Sequence, residues 1–409
     1  MREGFLKELL YKIGIIPIYS TYKQKRYDNK VSRGKENDKW YYKFLPIKNN
    51  KIVFVNFCGK GYGDNPKAIA EEIIRQKLDW DLVWLVNKVE EMPSCIRQVK
   101  YGSEEAMKEL ATAKLWVFNV RNVKHPTKRR SQKYLQTWHG GGVVIKPLEG
   151  MAEDALPPRY VDAAKRDGSI CDYILSSDAI RSEVERKCFW LSAKTKILEF
   201  GTPKDDVFYD TEKHIYYNDK IRDLYNLTEE TSIILYMPTF RDDGDITCYN
   251  LDYEKVIKAF ENRFKTKCVL FVRLHPNVPN GVLSLPDNPS IIDVTSYPEA
   301  NELLIVADYA ISDYNNDAIA KMPLINNVSF IYAPDYIEYR KTRGLTNYYE
   351  SLPIKICLNN YELVNNILEL NRIDYFSVWK EFYKKYPSFE KGNASETTVS
   401  ILKEIIKRG

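Results

Sequence analysis

The sequence predicts an α/β protein built from two parallel sheets, with a cleft between them. Three observations lead to this fold class. The chain has 409 residues, which is the length of two domains rather than one. Short runs of branched and aromatic residues alternate with helical stretches, and the alternation occurs twice. Hydrophobic residues make up 44% of the chain and charged residues 29%, which excludes a disordered protein.

The first alternating series begins near residue 51. Its runs with the composition of buried strands are 52–57, 82–86, 115–120, 134–138, 173–176 and 197–200. Helical stretches separate them, and Ser103 is expected to cap the helix over 104–113, because its hydroxyl accepts from a free N–H of the first turn. These βαβ units predict a first Rossmann-like domain over residues 51–210.

A polar segment at 210–227 is expected to join the two halves, and a second series follows it. Its expected strands are 233–237, 268–273, 291–294, 309–311 and 323–325, and its expected helices include 253–264 and 298–306. They predict a second Rossmann-like domain over residues 211–390. Because ligands of such domains bind beyond the carboxyl ends of the strands, two of them imply a shared cleft.

Charge and cysteine content narrow the classes of function. The first 51 residues hold 13 Lys or Arg and five Asp or Glu, whereas the whole chain has a net charge of +5, so the rest is net acidic. This distribution argues against a nucleic-acid enzyme, whose basic surface would follow its groove. The seven cysteines are scattered without a Cys-x-x-Cys pair, which indicates a reducing cytoplasm and no structural zinc site.

Residues 1–50 are predicted to associate with a membrane surface as an amphipathic helical segment. Apolar residues recur at helical spacing between Phe5 and Ile16, beside basic residues such as Lys7 and Lys12. A helix of this kind lies on an anionic leaflet when its apolar face inserts. The apolar run at 13–18 is far shorter than the roughly 20 residues of a spanning helix. The alternative is a helix docked on the protein itself.

Two of the four histidines, His139 and His275, directly follow expected strands, one in each half. A strand end holds a side chain firmly while the following loop leaves it accessible. One imidazole on each side of a cleft suits a transfer in which a hydroxyl loses its proton while a phosphate gains charge. We predict both as catalytic residues, and the alternative for each is a structural histidine.

Groups suited to phosphate also follow expected strands. Gly140 and Gly141 leave backbone N–H groups unshielded, and Arg241 can form a bidentate pair with a diphosphate. The alternative for Arg241 is a surface ion pair. The loop at 59–63 is rich in glycine, but it is neither a Walker loop nor a full Gly-x-Gly-x-x-Gly motif. A turn without a ligand is therefore favoured.

A polar turn with Asp313, Asn315 and Asn316 follows another expected strand. Either asparagine can cap a helix, and the N-terminus of a helix favours a phosphate. Arg343 lies in a basic, tyrosine-rich stretch that suits an anionic substrate. The alternatives are capping alone for the turn and a solvated helix end for Arg343.

Taken in order, these motifs resemble the CDP-glycerol glycerophosphotransferase family, which includes teichoic acid primases and polymerases. The matching segments are 136–140, 176–178, 201–205, 235–241, 273–276, 307–314 and 343–344. The resemblance implies a GT-B fold, in which two Rossmann-like domains face a cleft and a C-terminal helix, here within 391–409, packs back across the domains.

The resemblance also implies an activity and its partners. Members transfer glycerol phosphate, or ribitol phosphate, from CDP-glycerol or CDP-ribitol to a lipid-linked acceptor and release CMP. They are peripheral proteins of the cytoplasmic membrane face. By position, His139 would take the proton of the acceptor hydroxyl and His275 would bind or polarise the donor diphosphate. Arg273, Asp313 and Arg343 would hold the phosphates and the nucleotide.

Two other functions stay open at this point. One is a glycosyltransferase of the same fold that uses a nucleotide sugar. The other is a catalytically silent subunit of a complex that makes a teichoic-acid-like or capsular polymer. The sequence requires no metal cofactor, because no Asp-x-Asp pair follows a strand, and it leaves a role for a divalent ion open.

Overall fold

The computed structural model describes residues 44–122, 125–140, 143–241, 246–275, 278 and 283–407. Within these residues the chain forms two parallel sheets with helices between the strands, which confirms the α/β class and fits two Rossmann-like domains. Most of the predicted amphipathic segment, residues 1–43, lies outside the described residues.

The first sheet, with the helices packed on it, is called the first lobe. Among the described residues its strands pair in parallel in the order β3-β2-β1-β4-β5-β6-β7. The strands are β1 (Lys48–Val55), β2 (Asp81–Val86), β3 (Ile96–Lys100), β4 (Ala113–Phe118), β5 (Lys133–Gln136), β6 (Tyr173–Ser176) and β7 (Lys196–Glu199). The helices are α1 (Asp64–Arg75), α2 (Glu104–Thr112), α3 (Pro158–Ile170) and α4 (Ala179–Cys188).

The second sheet and its helices form the second lobe. Its described strands pair in parallel in the order β10-β9-β8-β11-β12-β13. The strands are β8 (Ser232–Tyr236), β9 (Cys268–Val272), β10 (Ile291–Asp293), β11 (Tyr309–Ser312), β12 (Val328–Tyr332) and β13 (Ile356–Cys357). The remaining helices are α5 (Thr211–Leu224), α6 (Tyr253–Phe264), α7 (Ala300–Val306), α8 (Tyr336–Arg343), α9 (Asn347–Glu350), α10 (Asn360–Glu369), α11 (Arg372–Lys385) and α12 (Ala394–Lys407).

Alternation along β1 explains why this segment forms a central strand. Ile52 and Phe54 enter one apolar cluster, whereas Val53 and Val55 enter another, so both faces of the sheet are covered. At the start of α2, the Ser103 hydroxyl accepts from the backbone N–H of Ala106 over 3.0 Å, which is the predicted cap.

Several elements differ from the sequence-based expectation. The predicted strand at 323–325 is a 3₁₀ turn (Met322–Ile325), because Pro323 has no N–H for a sheet and starts a helical turn readily. The polar join at 210–227 is largely helix α5, whose first turn is capped by Asp210. β1 begins at Lys48, so the end of the predicted membrane segment belongs to the sheet.

Three strands were not predicted. β3 is at the edge of its sheet and exposes Arg97 and Lys100, so its polar side chains hide the strand pattern. β12 carries a buried Ser329, whose hydroxyl donates to the Ile319 carbonyl over 2.8 Å. β13 has only two residues. Both β12 and β13 extend the second sheet on the side of β11.

The last helix, α12, returns to the first lobe. Val399, Leu402 and Ile405 are buried in the same apolar cluster as residues of β1. At its start, the carboxylate of Asp206 accepts from the backbone N–H groups of Ala394 and Ser395, each over 2.7 Å. The end of the chain therefore covers one face of the first sheet.

Candidate active site

A cleft of about 1120 Å³ lies between the lobes at the carboxyl ends of both sheets. Asn56 follows β1 on one side, and Thr239 follows β8 on the other. In each sheet the strand order reverses beside that strand, which is where ligands bind in doubly wound folds. His139 and His275 both line this cleft, so the fold brings the two predicted histidines to one cavity.

The imidazole of His139 is held in one orientation. Its Nδ1 lies 2.9 Å from the backbone carbonyl oxygen of Asn119, beyond the end of β4. Because a carbonyl only accepts, Nδ1 carries the proton and the neutral ring keeps a lone pair on Nε2. The ring stacks on Trp138 at 4.8 Å and meets the Phe57 ring edge-on at 5.3 Å. This arrangement leaves Nε2 as a proton acceptor.

Opposing charges surround His139. Burial lowers its pKa, and the cations of Lys204 and Arg181 act in the same direction. The backbone hydrogen bond to Asn119 and the carboxylate of Asp64 act the other way. The net effect is a lowered pKa, which keeps the ring unprotonated at neutral pH, so that it is available to accept a proton.

His275 lies on the second lobe, beyond the end of β9. Its ring stacks on Phe240 at 5.8 Å, and its backbone carbonyl accepts from the N–H of Val278 over 2.8 Å. Partial burial is the largest cause that lowers the pKa of His275. The positive charges of Lys146, Arg343 and Arg273 lower it as well, in that order. The groups that act on His275 are therefore cations, as an anion-binding site requires.

Arg273 also lines the cleft, although part of its guanidinium is hydrogen-bonded to the backbone of the second lobe. One of its terminal nitrogens donates to the backbone carbonyls of Val294 and Tyr297. Burial lowers the pKa of Arg273 from that of a free guanidinium. These bonds fix the side chain at the wall of the cleft, next to His275.

The prediction that Arg241 contacts a diphosphate does not agree with the structure. Its guanidinium pairs with Asp335 through two hydrogen bonds of 2.6 and 3.0 Å and with Asp313 through one of 2.8 Å. The remaining nitrogen donates to the carbonyl and the hydroxyl of Thr239. Since all its nitrogens bind protein groups in a buried position, Arg241 has no donor left for a ligand.

The same pairing removes Asp313 from the set of direct phosphate ligands. Besides Arg241, its carboxylate accepts from the backbone N–H groups of Thr239 and Tyr314 over 2.8 and 2.6 Å. The side chain is buried behind the loop after β8. Asp313 therefore organises the strand ends that carry the site.

Asn315 lines the cleft and caps the turn that follows β11. Its side-chain oxygen accepts from the backbone N–H of Asp317 at 3.0 Å. The turn over Asp317–Lys321 has π-type hydrogen bonding and only five residues, so it is shorter than the expected helix. Asn316 is half-buried at the start of that turn, next to Asn315, which lines the cleft.

The segment after His139 crosses to the second lobe. The backbone N–H of Thr346 donates to the Ile145 carbonyl over 3.0 Å, and the Thr346 hydroxyl donates to the Val144 carbonyl. The ammonium of Lys146 lies 5.7 Å above the Tyr339 ring of α8. These contacts hold the segment of Lys146, a first-lobe cation, against the second lobe, where its charge acts on His275 together with that of Arg343.

The glycines after His139 can be placed only in part. Gly140 is half-buried, and a Cβ there would lie 3.4 Å from a terminal nitrogen of Arg181. Gly141, predicted to bind phosphate, lies outside the described residues.

Sequence reasoning missed Asp64, Lys204 and Lys146. Asp64 follows a glycine-rich loop at the end of a strand, and Lys204 falls in one of the motifs that carried the resemblance. Both were visible as strand-end positions, but nothing in the sequence showed that they meet at His139. The described residues include no cluster of His, Cys, Asp and Glu suited to a metal ion. They also include no helix able to cross a bilayer.

Comparisons with known proteins agree with this architecture. The sequence profile of the CDP-Glycerol:Poly(glycerophosphate) glycerophosphotransferase family matches residues 40–404. The chain is 30% identical over 379 residues to a teichoic acid poly(glycerol phosphate) polymerase of Staphylococcus epidermidis, covering 88% of this chain and 51% of that protein. It therefore spans about half the length of that relative.

Two further relatives match over almost their whole length. A teichoic acid glycerol-phosphate transferase of Staphylococcus aureus is 28% identical over 367 residues, which are 86% of this chain and 92% of that protein. The solved structure of the wall teichoic acid polymerase TagF superposes with a TM-score of 0.75 at 27% identity, covering 96% of this chain and 98% of that one. A variant of that polymerase was also solved after a soak with CDPG.

Proposed function

The chain belongs to the CDP-glycerol:poly(glycerophosphate) glycerophosphotransferase family, and from this membership we propose that it transfers glycerol phosphate from CDP-glycerol to a hydroxyl of a membrane-associated acceptor. The products are CMP and an acceptor extended by one glycerol phosphate, as in teichoic acid synthesis. The observation that carries the proposal is that His139 and His275, from opposite lobes, line one cleft.

His139 is proposed as the general base. Its Nε2 takes the proton of the acceptor hydroxyl, since Nδ1–H is already committed to the Asn119 carbonyl. The acceptor oxygen then forms a bond to the phosphorus that bears the glycerol. The bond from that phosphorus to the bridging oxygen of the diphosphate breaks, and CMP leaves with the electron pair.

The cations around His275 are proposed to bind the diphosphate. Negative charge grows on the CMP phosphate as the bond breaks, so fixed positive groups stabilise the transition state more than the ground state. Lys146, Arg273 and Arg343 all act on His275, and its ring can donate a hydrogen bond to the same oxygens. In this arrangement residues 51–210 supply the acceptor side and residues 211–390 the donor side, except that Lys146 of the first lobe also acts on the donor side.

The membrane acceptor implies a peripheral location at the cytoplasmic face of the membrane. The support is the basic, amphipathic character of residues 1–50 together with a lipid-linked acceptor. Binding of the protein to vesicles with and without anionic lipid measures this directly. Equal binding to vesicles with and without anionic lipid would contradict an electrostatic contribution from this segment.

The test of the activity is a donor panel. The protein is incubated with an acceptor-bearing membrane fraction and CDP-glycerol, CDP-ribitol or UDP-sugars, and nucleotide release is measured. We expect release of CMP from CDP-glycerol. Release of CMP from CDP-ribitol alone would identify CDP-ribitol as the donor instead. UDP release alone would instead identify a nucleotide-sugar glycosyltransferase. His214→Gln is the control, because the His214 ring lies 3.1 Å from the backbone carbonyl of Val207 and is not part of the cleft lining.

A further inference from the structure

The backbone and side chains around His139 form a closed ring of hydrogen bonds. Nδ1 of His139 donates to the Asn119 carbonyl, and the Asn119 side-chain amide donates to Asp64 Oδ1 over 3.2 Å. Lys204 Nζ lies 3.2 Å from Asp64 Oδ2 and donates to the backbone carbonyl of His139 itself over 2.7 Å. The ion pair therefore contacts the backbone of His139 directly through Lys204, and it is linked to the imidazole through Asn119.

This ion pair is protected from solvent and faces the cleft. The side chains of Asp64 and Lys204 are 11% and 14% exposed, and both residues line the cavity beside His139. Asp64 has a φ of 57°, a left-handed conformation that costs energy for a residue other than glycine. In this position the Asp64 carboxylate contacts Asn119 and Lys204, the two residues that bond to His139.

Charges on several elements act on the imidazole. Asp64 at the start of α1 favours the protonated ring, whereas Lys204, in the 3₁₀ segment after β7, and Arg181 on α4 oppose it. Burial alone would lower the pKa of Lys204. The carboxylates of Asp64 and then Asp317 raise this pKa by more than burial lowers it, so the ammonium stays charged. When His139 gains a proton, Asp64 is the carboxylate that offsets these cations.

We propose that Asp64 and Lys204 are a pair of positioning residues for His139: Lys204 fixes its backbone, and Asp64 balances the positive charge that its ring acquires. This inference rests on the proposed function, in which His139 is the base. Neither residue needs to touch the substrate, because both act through the imidazole.

The experiment measures His139 directly and then the reaction. Full-length protein carrying ¹³Cε1-labelled histidine is titrated by NMR without substrate, and the His139 signal is assigned by its loss in His139→Asn. Relative to wild type, Asp64→Asn lowers the midpoint and Lys204→Met raises it. The double variant lies between the two single variants. Asparagine also adopts the left-handed conformation readily, so Asp64→Asn is compatible with the fold.

Turnover provides the second readout. We expect Asp64→Asn to reduce kcat by about 10-fold or more, with the acid limb of the pH profile moved to lower pH. Lys204→Arg keeps the positive charge and should restore the wild-type midpoint. Glu105→Gln is the matched control, since Glu105 is an exposed carboxylate in the first turn of α2, outside the cleft lining, and its loss should change neither readout.

An unchanged His139 midpoint in both Asp64→Asn and Lys204→Met would overturn the proposal, even if activity fell. If wild-type protein released no CMP from CDP-glycerol, the proposed function would fail instead. The titration would still decide whether the pair controls the imidazole, because it needs no substrate.

Discussion

Arg241 and Asp313 form a buried ion pair, in which a guanidinium nitrogen donates to Asp313 Oδ2 over 2.8 Å. With Asp335, this pair joins the loop after β8, the end of β11 and the start of α8. The Arg241 guanidinium also lies 4.8 and 5.2 Å from the stacked rings of Tyr339 and Tyr314. The wall of the second lobe is therefore a fixed platform behind the cleft.

We predict that Arg241→Met destabilises the protein rather than only weakening donor binding. Removing one partner leaves carboxylates buried without their cation, which costs about 3–5 kcal/mol. The measurement is the apparent free energy of unfolding in urea. Arg340→Met is the control, because Arg340 is 57% exposed and its ion pair with Glu350 lies at the surface. Unchanged stability of Arg241→Met with a raised KM for CDP-glycerol would restore the phosphate-binding interpretation.

The two histidines are predicted to fail in different ways. His139→Asn removes the base, so turnover should fall by about 10²- to 10⁴-fold while CDP binds as in wild type. His275→Asn removes a ring beside the diphosphate, so CDP affinity should fall by about 10- to 100-fold, the worth of a hydrogen bond to a charged group. Calorimetry with CDP separates the two. Equal loss of affinity in both variants would contradict these separate roles.

Thr346→Val is predicted to loosen the crossing between the lobes. The substitution keeps the shape and the backbone bond to Ile145, but it deletes the hydroxyl that donates to the Val144 carbonyl. A net loss of about 0.5–1.5 kcal/mol corresponds to a roughly 2- to 12-fold fall in kcat, if the bond contributes fully to the transition state. Thr342→Val is the control, since its hydroxyl donates to the carbonyls of Glu338 and Tyr339 within α8 rather than across the lobes. Equal kcat in both variants would show that the crossing does not affect turnover.

Glu390 is predicted to make stability depend on pH. Burial, and then the neighbouring Asp205, raise the pKa of Glu390 from 4.5 to about 8. The folded protein therefore binds a proton that the unfolded chain has lost, and this contribution to stability disappears as pH rises from about 4.5 to 8. Glu390→Gln has no such proton, so its melting temperature should fall less than that of wild type over this range.

The matched control for Glu390 is Glu396→Gln, which removes an exposed carboxyl from the start of α12. This variant should keep the wild-type dependence of melting temperature on pH. If melting temperature changed with pH in the same way in wild type and Glu390→Gln, the Glu390 carboxyl would ionise over the same pH range in the folded and the unfolded protein.

Local patterns were sufficient to predict most of the helices and strands and the two histidines of the cleft. The helix over 253–264 was predicted with the ends that the structure shows, because Asp252 caps it and its apolar residues follow helical spacing. His139 and His275 reached the cleft because parallel strands bring their carboxyl ends to one edge. Such features depend on neighbours in sequence.

The partners of charged residues could not be predicted. Arg241 meets Asp335 across 94 positions, and a pattern of single residues does not reveal which carboxylate a buried arginine will contact. Lys146 lies on a segment that is bound by Thr346, and Thr346 is 202 positions from Val144. These contacts arise from the packing of two lobes, so they become visible only in three dimensions.

The return of α12 to the first lobe has a consequence for how the protein is made. During translation, the ribosome releases the whole second lobe before Val399, Leu402 and Ile405 can cover the sheet that contains β1. The nascent first lobe must expose an apolar face throughout that interval, and such surfaces promote aggregation. Its native core closes only when the last helix has left the ribosome.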